Sequence, residues 1–144
     1  MSEIKEILSK YKNIAMVGVS NDSTKASTIV MKYMQKYGFK VFPVNPKSKG
    51  QKILGEEVFE KITDIKDRID IVDVFRPSKE VPAIAEDTVK IGAKVLWLQL
   101  GIKSEEAKKL MEMNNIRYIE NKCTKMEYQS YFLKVRQAFP ALQE

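Results

Sequence analysis

The sequence predicts an α/β protein built on a doubly wound parallel sheet of about five strands with helices on both faces. Short apolar segments alternate with amphipathic segments of helix length about five times along the chain, as in a parallel sheet with helical crossovers. The apolar segments are apolar at consecutive positions, which is typical of strands buried on both faces. The length of 144 residues is that of one domain, which we expect to cover residues 1–144.

The apolar segments define the strands. The first begins at Asn13 and ends at a turn containing Gly18, and the second contains Pro43, which indicates a strand end or a sheet edge because proline cannot donate a ladder hydrogen bond. Residues 47–57 are expected to form a polar loop between the second and third strands. The predicted strands are 13–19, 40–44, 69–75, 94–100 and 116–120.

The amphipathic segments define the helices, and their first residues carry capping signals. Ser2, Ser78 and Ser104 can cap the first, third and fourth helices. Thr124 and Glu127 have the spacing of a capping box at the start of the fifth. The predicted helices cover 2–11, 24–37 and 78–91, and two more begin at 104 and 124.

Composition excludes several kinds of chemistry. The chain has no histidine and one cysteine, which rules out a Ser-His-Asp triad, a histidine-ligated metal, a four-cysteine zinc site and a disulfide within the chain. No metal site is predicted. The net charge of +6 suits an anionic small ligand. Nucleic acid is not an expected partner, because no stripe of basic and aromatic residues accompanies the charge.

The hydropathy pattern indicates where in the cell the protein is expected. No apolar run approaches the ~20 residues of a membrane-spanning helix, so no membrane association is predicted. The first residues lack the apolar stretch of a secretory signal, and we therefore expect a cytoplasmic protein. The oligomeric state is left open, a homo-oligomer included.

Ligands of open parallel sheets bind at the carboxyl ends of the strands. This rule selects the loops at 18–25, 45–52, 75–79, 98–103 and 120–124. In the first loop, Gly18 ends a strand, and Ser20 and Ser27 lie near a helix start, where exposed N–H groups and hydroxyls suit a phosphate. The loop lacks the G-x-G-x-x-G and P-loop patterns, and a plain strand-to-helix turn is the alternative interpretation.

The second loop is basic. An NAD site requires an acid at the end of the second strand, but Asn45 and Pro46 occupy that place, and Lys47, Lys49 and Lys52 follow. Positive charge there favours a nucleotide with an additional phosphate, either NADP or coenzyme A. The alternative is a solvated basic turn.

Two further loops carry candidate ligand contacts. Arg76 directly follows the third strand and can hold a phosphate with two parallel N–H bonds, whereas Phe75 before it is expected in the core. Gln99 and Gly101 end the fourth strand, where an amide and an accessible backbone can meet a ligand.

The fifth loop contains Cys123, which lies between Lys122 and Lys125 at a helix start. Both features would lower the thiol pKa, so one hypothesis is a reactive thiol. The alternative is a buried, inert cysteine.

Taken together, these loops resemble those of the small stand-alone CoA-binding-domain proteins, which are similar to the nucleotide-binding N-terminal domain of the succinyl-CoA synthetase α subunit. The resemblance is carried in order by Ala15-Met16-Val17-Gly18-Val19-Ser20 with Lys25 and Ser27, Phe42-Pro43-Val44-Asn45-Pro46, Ile53-Leu54-Gly55-Glu56, Asp70-Ile71-Val72-Asp73-Val74-Phe75-Arg76, Gly92 through Gly101, and Asn121-Lys122-Cys123.

The resemblance implies a Rossmann-like fold with CoA lying over the first loops. It places the pyrophosphate at the first loop, the adenine and ribose phosphate at the second, the adenosine end near the third, and the pantetheine along the fourth. The predicted cofactor-binding residues are Gly18, Val19, Ser20, Lys25, Ser27, Val44, Asn45, Pro46, Lys47, Val74, Phe75, Arg76, Gln99 and Gly101.

The predicted function is binding of coenzyme A or an acyl-CoA, a small-molecule nucleotide ligand, with no catalytic activity evident. The synthetase's phosphorylated histidine lies in another domain, so its ligase chemistry does not carry over to this histidine-free chain. One alternative is an NADP-binding oxidoreductase, against which stand the missing glycines and the lack of an obvious proton donor in the crevice. The other is a thiol or redox role in which Cys123 forms a mixed disulfide with CoA.

Overall fold

The computed structural model describes residues 2–134 and confirms the Rossmann-like α/β architecture. The ends of the predicted domain, residue 1 and residues 135–144, lie outside the described residues. The strands are β1 Asn13–Val17, β2 Lys40–Val44, β3 Lys52–Ile53, β4 Glu56–Glu57, β5 Ile71–Val74, β6 Val95–Leu98 and β7 Arg117–Ile119. Within residues 2–134, five parallel strands form one sheet in the order β2-β1-β5-β6-β7, and two short strands form a separate antiparallel hairpin, β3-β4.

Helices cover both faces of the sheet. The helices are α1 Glu3–Lys10, α2 Ala26–Lys36, α3 Val81–Lys90, α4 Glu105–Met113 and α5 Thr124–Tyr128. Side chains alternate across each strand, so Met16, Ile71 and Trp97 pack beneath α1, α2 and the start of α5, whereas Val72 and Leu96 pack beneath α3 and α4. None of the helices described between residues 2 and 134 has the length and hydropathy that a membrane crossing requires.

The caps of two helices are confirmed. The Ser2 hydroxyl accepts hydrogen bonds from the backbone N–H of Ile4 at 3.1 Å and of Lys5 at 3.3 Å. The Ser104 hydroxyl accepts from the N–H of Ala107 at 3.1 Å. Each bond satisfies a backbone donor that the first helical turn leaves without a partner.

The starts of two other helices differ from the prediction. Ser78 opens a 3₁₀ turn ahead of α3, and its hydroxyl accepts from the N–H of Lys103 at 3.1 Å instead of capping the helix. Thr124 is the first residue of α5, which follows Cys123, and its hydroxyl donates to a carboxylate oxygen of Asp73 at 3.0 Å. The capping-box prediction is wrong, because Thr124 lies inside the helix and its hydroxyl donates to a buried carboxylate.

The segment predicted as a polar loop contains ordered structure. A 3₁₀ turn at Pro46–Ser48 leads into the β3-β4 hairpin, whose turn residues Leu54 and Gly55 both have positive φ, at 49° and 83°. The hairpin returns the chain to the outer edge of β2, where the N–H of Phe59 donates to the Pro43 carbonyl at 3.0 Å. The edge position of β2 is confirmed, and the segment after the hairpin is carried to the carboxyl edge of the sheet.

Candidate functional site

The candidate site lies where the strand order of the parallel sheet reverses. Strand β1 lies between β2 and β5, so the residues that follow these three strands meet at one point of the carboxyl edge. A cavity of about 500 Å³ opens there. It is lined by Val17, Gly18, Ser20, Val44, Asn45, Pro46, Lys47, Glu60, Lys61, Ile62, Arg76, Glu80, Ile84 and Asp87.

Gly18 forms the floor of this cavity, and both its conformation and its neighbours require glycine. Its φ is +94°, and its N–H donates to the Val44 carbonyl at 2.7 Å. A Cβ at this position would lie 2.8 Å from Arg76 Cδ and 3.2 Å from the carbonyl oxygen of Phe75. The absence of a side chain therefore lets the Arg76 stem lie across the β1 turn.

Asn45 joins the first two loops. Its side-chain Nδ2 donates to the Val19 carbonyl at 2.9 Å, and its Oδ1 accepts from the backbone N–H of Lys47 at 3.0 Å. The second bond caps the 3₁₀ turn that begins at Pro46. The amide thus uses both a donor and an acceptor, which a carboxylate cannot do, and it holds Lys47 at the cavity wall.

Arg76 forms an ion pair with Glu80, and both side chains line the cavity. Its Nε and Nη2 donate to the two carboxylate oxygens of Glu80 at 2.9 Å and 2.7 Å. The side chains are 41% and 39% exposed, so the pair is in contact with solvent. The hydrogen bond from Arg76 holds the pKa of Glu80 below its usual range, and the charges of Lys79 and Lys47 act in the same direction.

The first loop is organised by its own side chains. The Ser27 hydroxyl accepts from the N–H of Ser20 at 3.0 Å, and the Thr28 hydroxyl donates to the Ser20 carbonyl at 2.6 Å. Ser27 is buried, and the N–H groups of Gly18 and Ser20 already have protein partners. These two N–H groups are therefore engaged within the protein, and the approach of a phosphate to the other N–H groups of this loop stays a prediction. Ser20 lines the cavity, and Lys25 is exposed just before α2.

The structure brings together half of the predicted ligand contacts. Val19 and Val74 are buried in the core, and Phe75 packs against the core beneath α1 and α2, as expected for that phenylalanine. Gly101 donates its N–H to the Asn121 side chain at 2.7 Å, where the chain leaves β6 and β7. The predicted residues that line the cavity are Gly18, Ser20, Val44, Asn45, Pro46, Lys47 and Arg76; those that do not are Val19, Lys25, Ser27, Val74, Phe75, Gln99 and Gly101.

Gln99 belongs to a buried polar cluster with Asp73 and Thr124. The Gln99 amide donates to one carboxylate oxygen of Asp73 at 2.6 Å, and the Thr124 hydroxyl donates to the other at 3.0 Å. Burial raises the pKa of Asp73 to about 7, although both hydrogen bonds act in the opposite direction. The Gln99 side chain is thus engaged inside the protein instead of lining the cavity.

Cys123 adjoins this cluster and is 9% exposed. Burial raises the pKa of its thiol, the Asp73 carboxylate adds to the rise, and the backbone N–H groups of Met126 and Lys125 only partly offset it. The expectation of a lowered pKa is wrong, because desolvation of the thiolate outweighs the nearby positive charges. The burial agrees with the inert alternative, whereas the reactivity of the thiol stays a prediction.

Several residues that line the cavity are not predicted from the sequence. Glu60, Lys61 and Ile62 reach the cavity because the unpredicted hairpin returns the chain to β2. Glu80 ends the 3₁₀ turn that precedes α3, and Ile84 and Asp87 belong to α3. The spacing of 80, 84 and 87 places these three side chains on one helix face, and this signal could have identified them once Arg76 was assigned to the cavity.

The fold and site define a Rossmann-like α/β protein with a mixed-charge cavity at the topological switch point of its sheet. The family model for the CoA binding domain matches residues 12–129. The chain belongs to this family, and the resemblance inferred from its loops is confirmed.

Relatives of known sequence or structure agree with this assignment. An uncharacterized protein of Bacillus subtilis, YneT, is 37% identical over 88% of this chain and 93% of its own length. The alpha subunit of acetate–CoA ligase [ADP-forming] I of Pyrococcus furiosus is 31% identical over 73% of this chain, which corresponds to 24% of that subunit. A solved structure from Thermus thermophilus, cell-free ID.343, superposes with a TM-score of 0.88 at 30% identity, covering 92% of this chain and 100% of that one.

Proposed function

We propose that the chain binds coenzyme A or an acyl-CoA, with the adenosine end in the cavity at the switch point, and that binding is its activity without a reaction of its own. Family membership supports a CoA-type ligand over NADP. The likeness to part of a subunit named for acetate–CoA ligase supports the same class of ligand.

The observation that carries the proposal is the meeting of Gly18, Asn45 and Arg76 at one cavity. A volume of about 500 Å³ is in the range of small-molecule sites. Val17, Ile62 and Ile84 supply apolar surface for a flat base. Arg76, Lys47 and Lys61 supply positive charge for a phosphate close to that base, as the 3′-phosphate of CoA is.

The rest of the ligand would follow the carboxyl edge. The pyrophosphate lies nearest the positive N-terminal end of α2, an eleven-residue helix preceded by Lys25. The pantetheine continues toward the end of β6 and passes Gly101, while the Gln99 side chain keeps its bond to Asp73.

The ligand class is tested by calorimetric titration of the purified chain with CoA, dephospho-CoA, NADP and NAD. We expect CoA to bind most tightly and dephospho-CoA clearly more weakly, because the latter lacks the phosphate that Arg76 and Lys47 would contact. Equal affinities for these two ligands would contradict the role of the extra phosphate. Tighter binding of NADP than of CoA would favour the oxidoreductase alternative.

Variants locate the site. Arg76→Ala and Lys47→Ala should each weaken CoA binding about tenfold, the effect of losing one charge-assisted contact of about 1.4 kcal/mol. Lys109→Ala is the matched control, because it removes the same charge from a groove between α3 and α4 away from the cavity. An equal loss of affinity in the control would mean that net charge, and not this cavity, governs binding.

A further inference from the structure

Arg76 is the side chain of the cavity best suited to bind an anion, and it already binds a carboxylate of the protein itself. Two parallel N–H bonds join Arg76 to the carboxylate of Glu80, at 2.9 Å and 2.7 Å. This is the two-pronged geometry with which a guanidinium binds phosphate. The Glu80 carboxylate therefore occupies the same two donors that a ligand phosphate would require.

The surroundings of Glu80 are those of a bound anion. Lys47 and Lys79 act on it together with Arg76, and Lys47 and Arg76 line the same cavity. Both partners of the pair are about two-fifths exposed. Solvent-exposed ion pairs contribute little to stability, so a dianionic phosphate with the same geometry can displace the carboxylate at small cost.

We infer that Glu80 is a specificity-determining residue which holds the place of the ligand's phosphate, and that the 3′-phosphate of CoA replaces its carboxylate on Arg76. This inference rests on the proposed function. Ligand binding then exchanges one anion for another on the same two N–H donors, so the positive charge of Arg76 is neutralised in both the empty and the occupied site. A nucleotide without the phosphate leaves the ion pair intact and gains no contact from Arg76.

The inference makes Glu80 a competitor of the ligand, and removing its charge should strengthen binding. Glu80→Gln keeps the shape of the side chain but loses the ion pair. Glu6→Gln is the matched control, because Glu6 also pairs with an arginine, Arg117, at 2.6 Å but does not line the cavity. Calorimetry with CoA and dephospho-CoA on the wild type and both variants separates a specific exchange from general electrostatics.

We expect Glu80→Gln to bind CoA about two- to fivefold more tightly, the equivalent of an exposed ion pair, with dephospho-CoA unchanged. Glu6→Gln should bind both ligands like the wild type. Unchanged or weakened CoA binding by Glu80→Gln would overturn the inference while leaving the proposed function intact, because the wild type would still bind CoA. An equal gain in both variants would also overturn it. Failure of the wild type to bind CoA at all would overturn the proposed function together with the inference.

Discussion

The two halves of the carboxyl edge use polar residues in opposite ways. At the ends of β2, β1 and β5, Asn45, Gly18 and Arg76 surround an open cavity, and Arg76 is in contact with solvent. Next to it, beneath the start of α5, Asp73 and Gln99 are buried and bond to each other. We call these the open half and the closed half of the edge.

What covers the strand ends accounts for the difference. In the closed half, the chain passes directly from β7 through Cys123 into α5, which brings the Thr124 hydroxyl onto Asp73. In the open half, a 3₁₀ turn at Ser78–Glu80 delays the start of α3, and the cavity remains between this turn and the segment after the hairpin. A polar residue at a strand end is thus available to a ligand only where no helix start packs over it.

The largest expected effect lies in the closed half and concerns pH. The folded state raises the pKa of Asp73 from 3.8 to about 7 and so binds its proton more tightly than the unfolded chain does. Stability should therefore fall as pH rises between about 4 and about 7, by up to about 4 kcal/mol in the free energy of unfolding. Asp73→Asn should remove this fall, since an amide can accept from Gln99 and donate to Thr124.

Denaturant unfolding of the wild type and Asp73→Asn at pH values from 4 to 8 measures this effect, because the difference between the two proteins cancels the other titrating groups. We expect near-equal stabilities at pH 4 and a more stable variant at pH 8. CoA affinity at pH 8 should be the same for both proteins. A difference that does not change with pH would mean that Asp73 is ionised in the folded state throughout this range.

The next effect concerns Gly18 in the open half. Gly18→Ala should lower the free energy of unfolding by about 2–3 kcal/mol and weaken CoA binding, because the positive φ is unfavourable for alanine and the new Cβ would meet the Arg76 stem at 2.8 Å. Gly38→Ala is a matched control, since Gly38 has the same φ of +94° but a Cβ added there would have open space for 4 Å around it.

Thermal unfolding and CoA titration of both variants separate the two causes. Gly38→Ala should lower the free energy of unfolding only by the cost of a positive φ at alanine. It should bind CoA like the wild type. If the two variants behave alike in both measurements, the close approach of Arg76 to Gly18 has no role in the site.

The sequence predicts the sheet more completely than the site, for a physical reason. Buried strands and the caps at Ser2 and Ser104 depend on local patterns, and these are confirmed. The contributions of Glu60 and Ile62 depend on a hairpin after which Phe59 bonds to the edge of β2, a non-local contact that periodicity does not encode. The orientation of Gln99 depends on Asp73, another strand's residue.

A smaller effect is expected at Asn45, whose amide links the first two loops. Asn45→Ala should lower the free energy of unfolding by about 1–2 kcal/mol, because two backbone groups lose their partners, and should weaken CoA binding several-fold as Lys47 loses its fixed position. Asn13→Ala is the control, since Asn13 donates to the Arg68 carbonyl at 2.7 Å at the opposite edge of the sheet. A control that weakens CoA binding equally would show that stability, and not the position of Lys47, explains the loss.

The smallest effect is expected at Cys123 in the closed half. Cys123→Ser should change the free energy of unfolding by no more than about 1 kcal/mol, because serine is a good residue to precede a helix and this offsets the burial of a hydroxyl. The native thiol should react with iodoacetamide at pH 8 at least about tenfold more slowly than the same thiol in guanidinium chloride, because burial both covers the sulfur and raises its pKa. Equal rates in the two states, or a CoA adduct detected by mass spectrometry and lost in Cys123→Ser, would instead place Cys123 with the ligand-accessible residues and remove the contrast between the two halves.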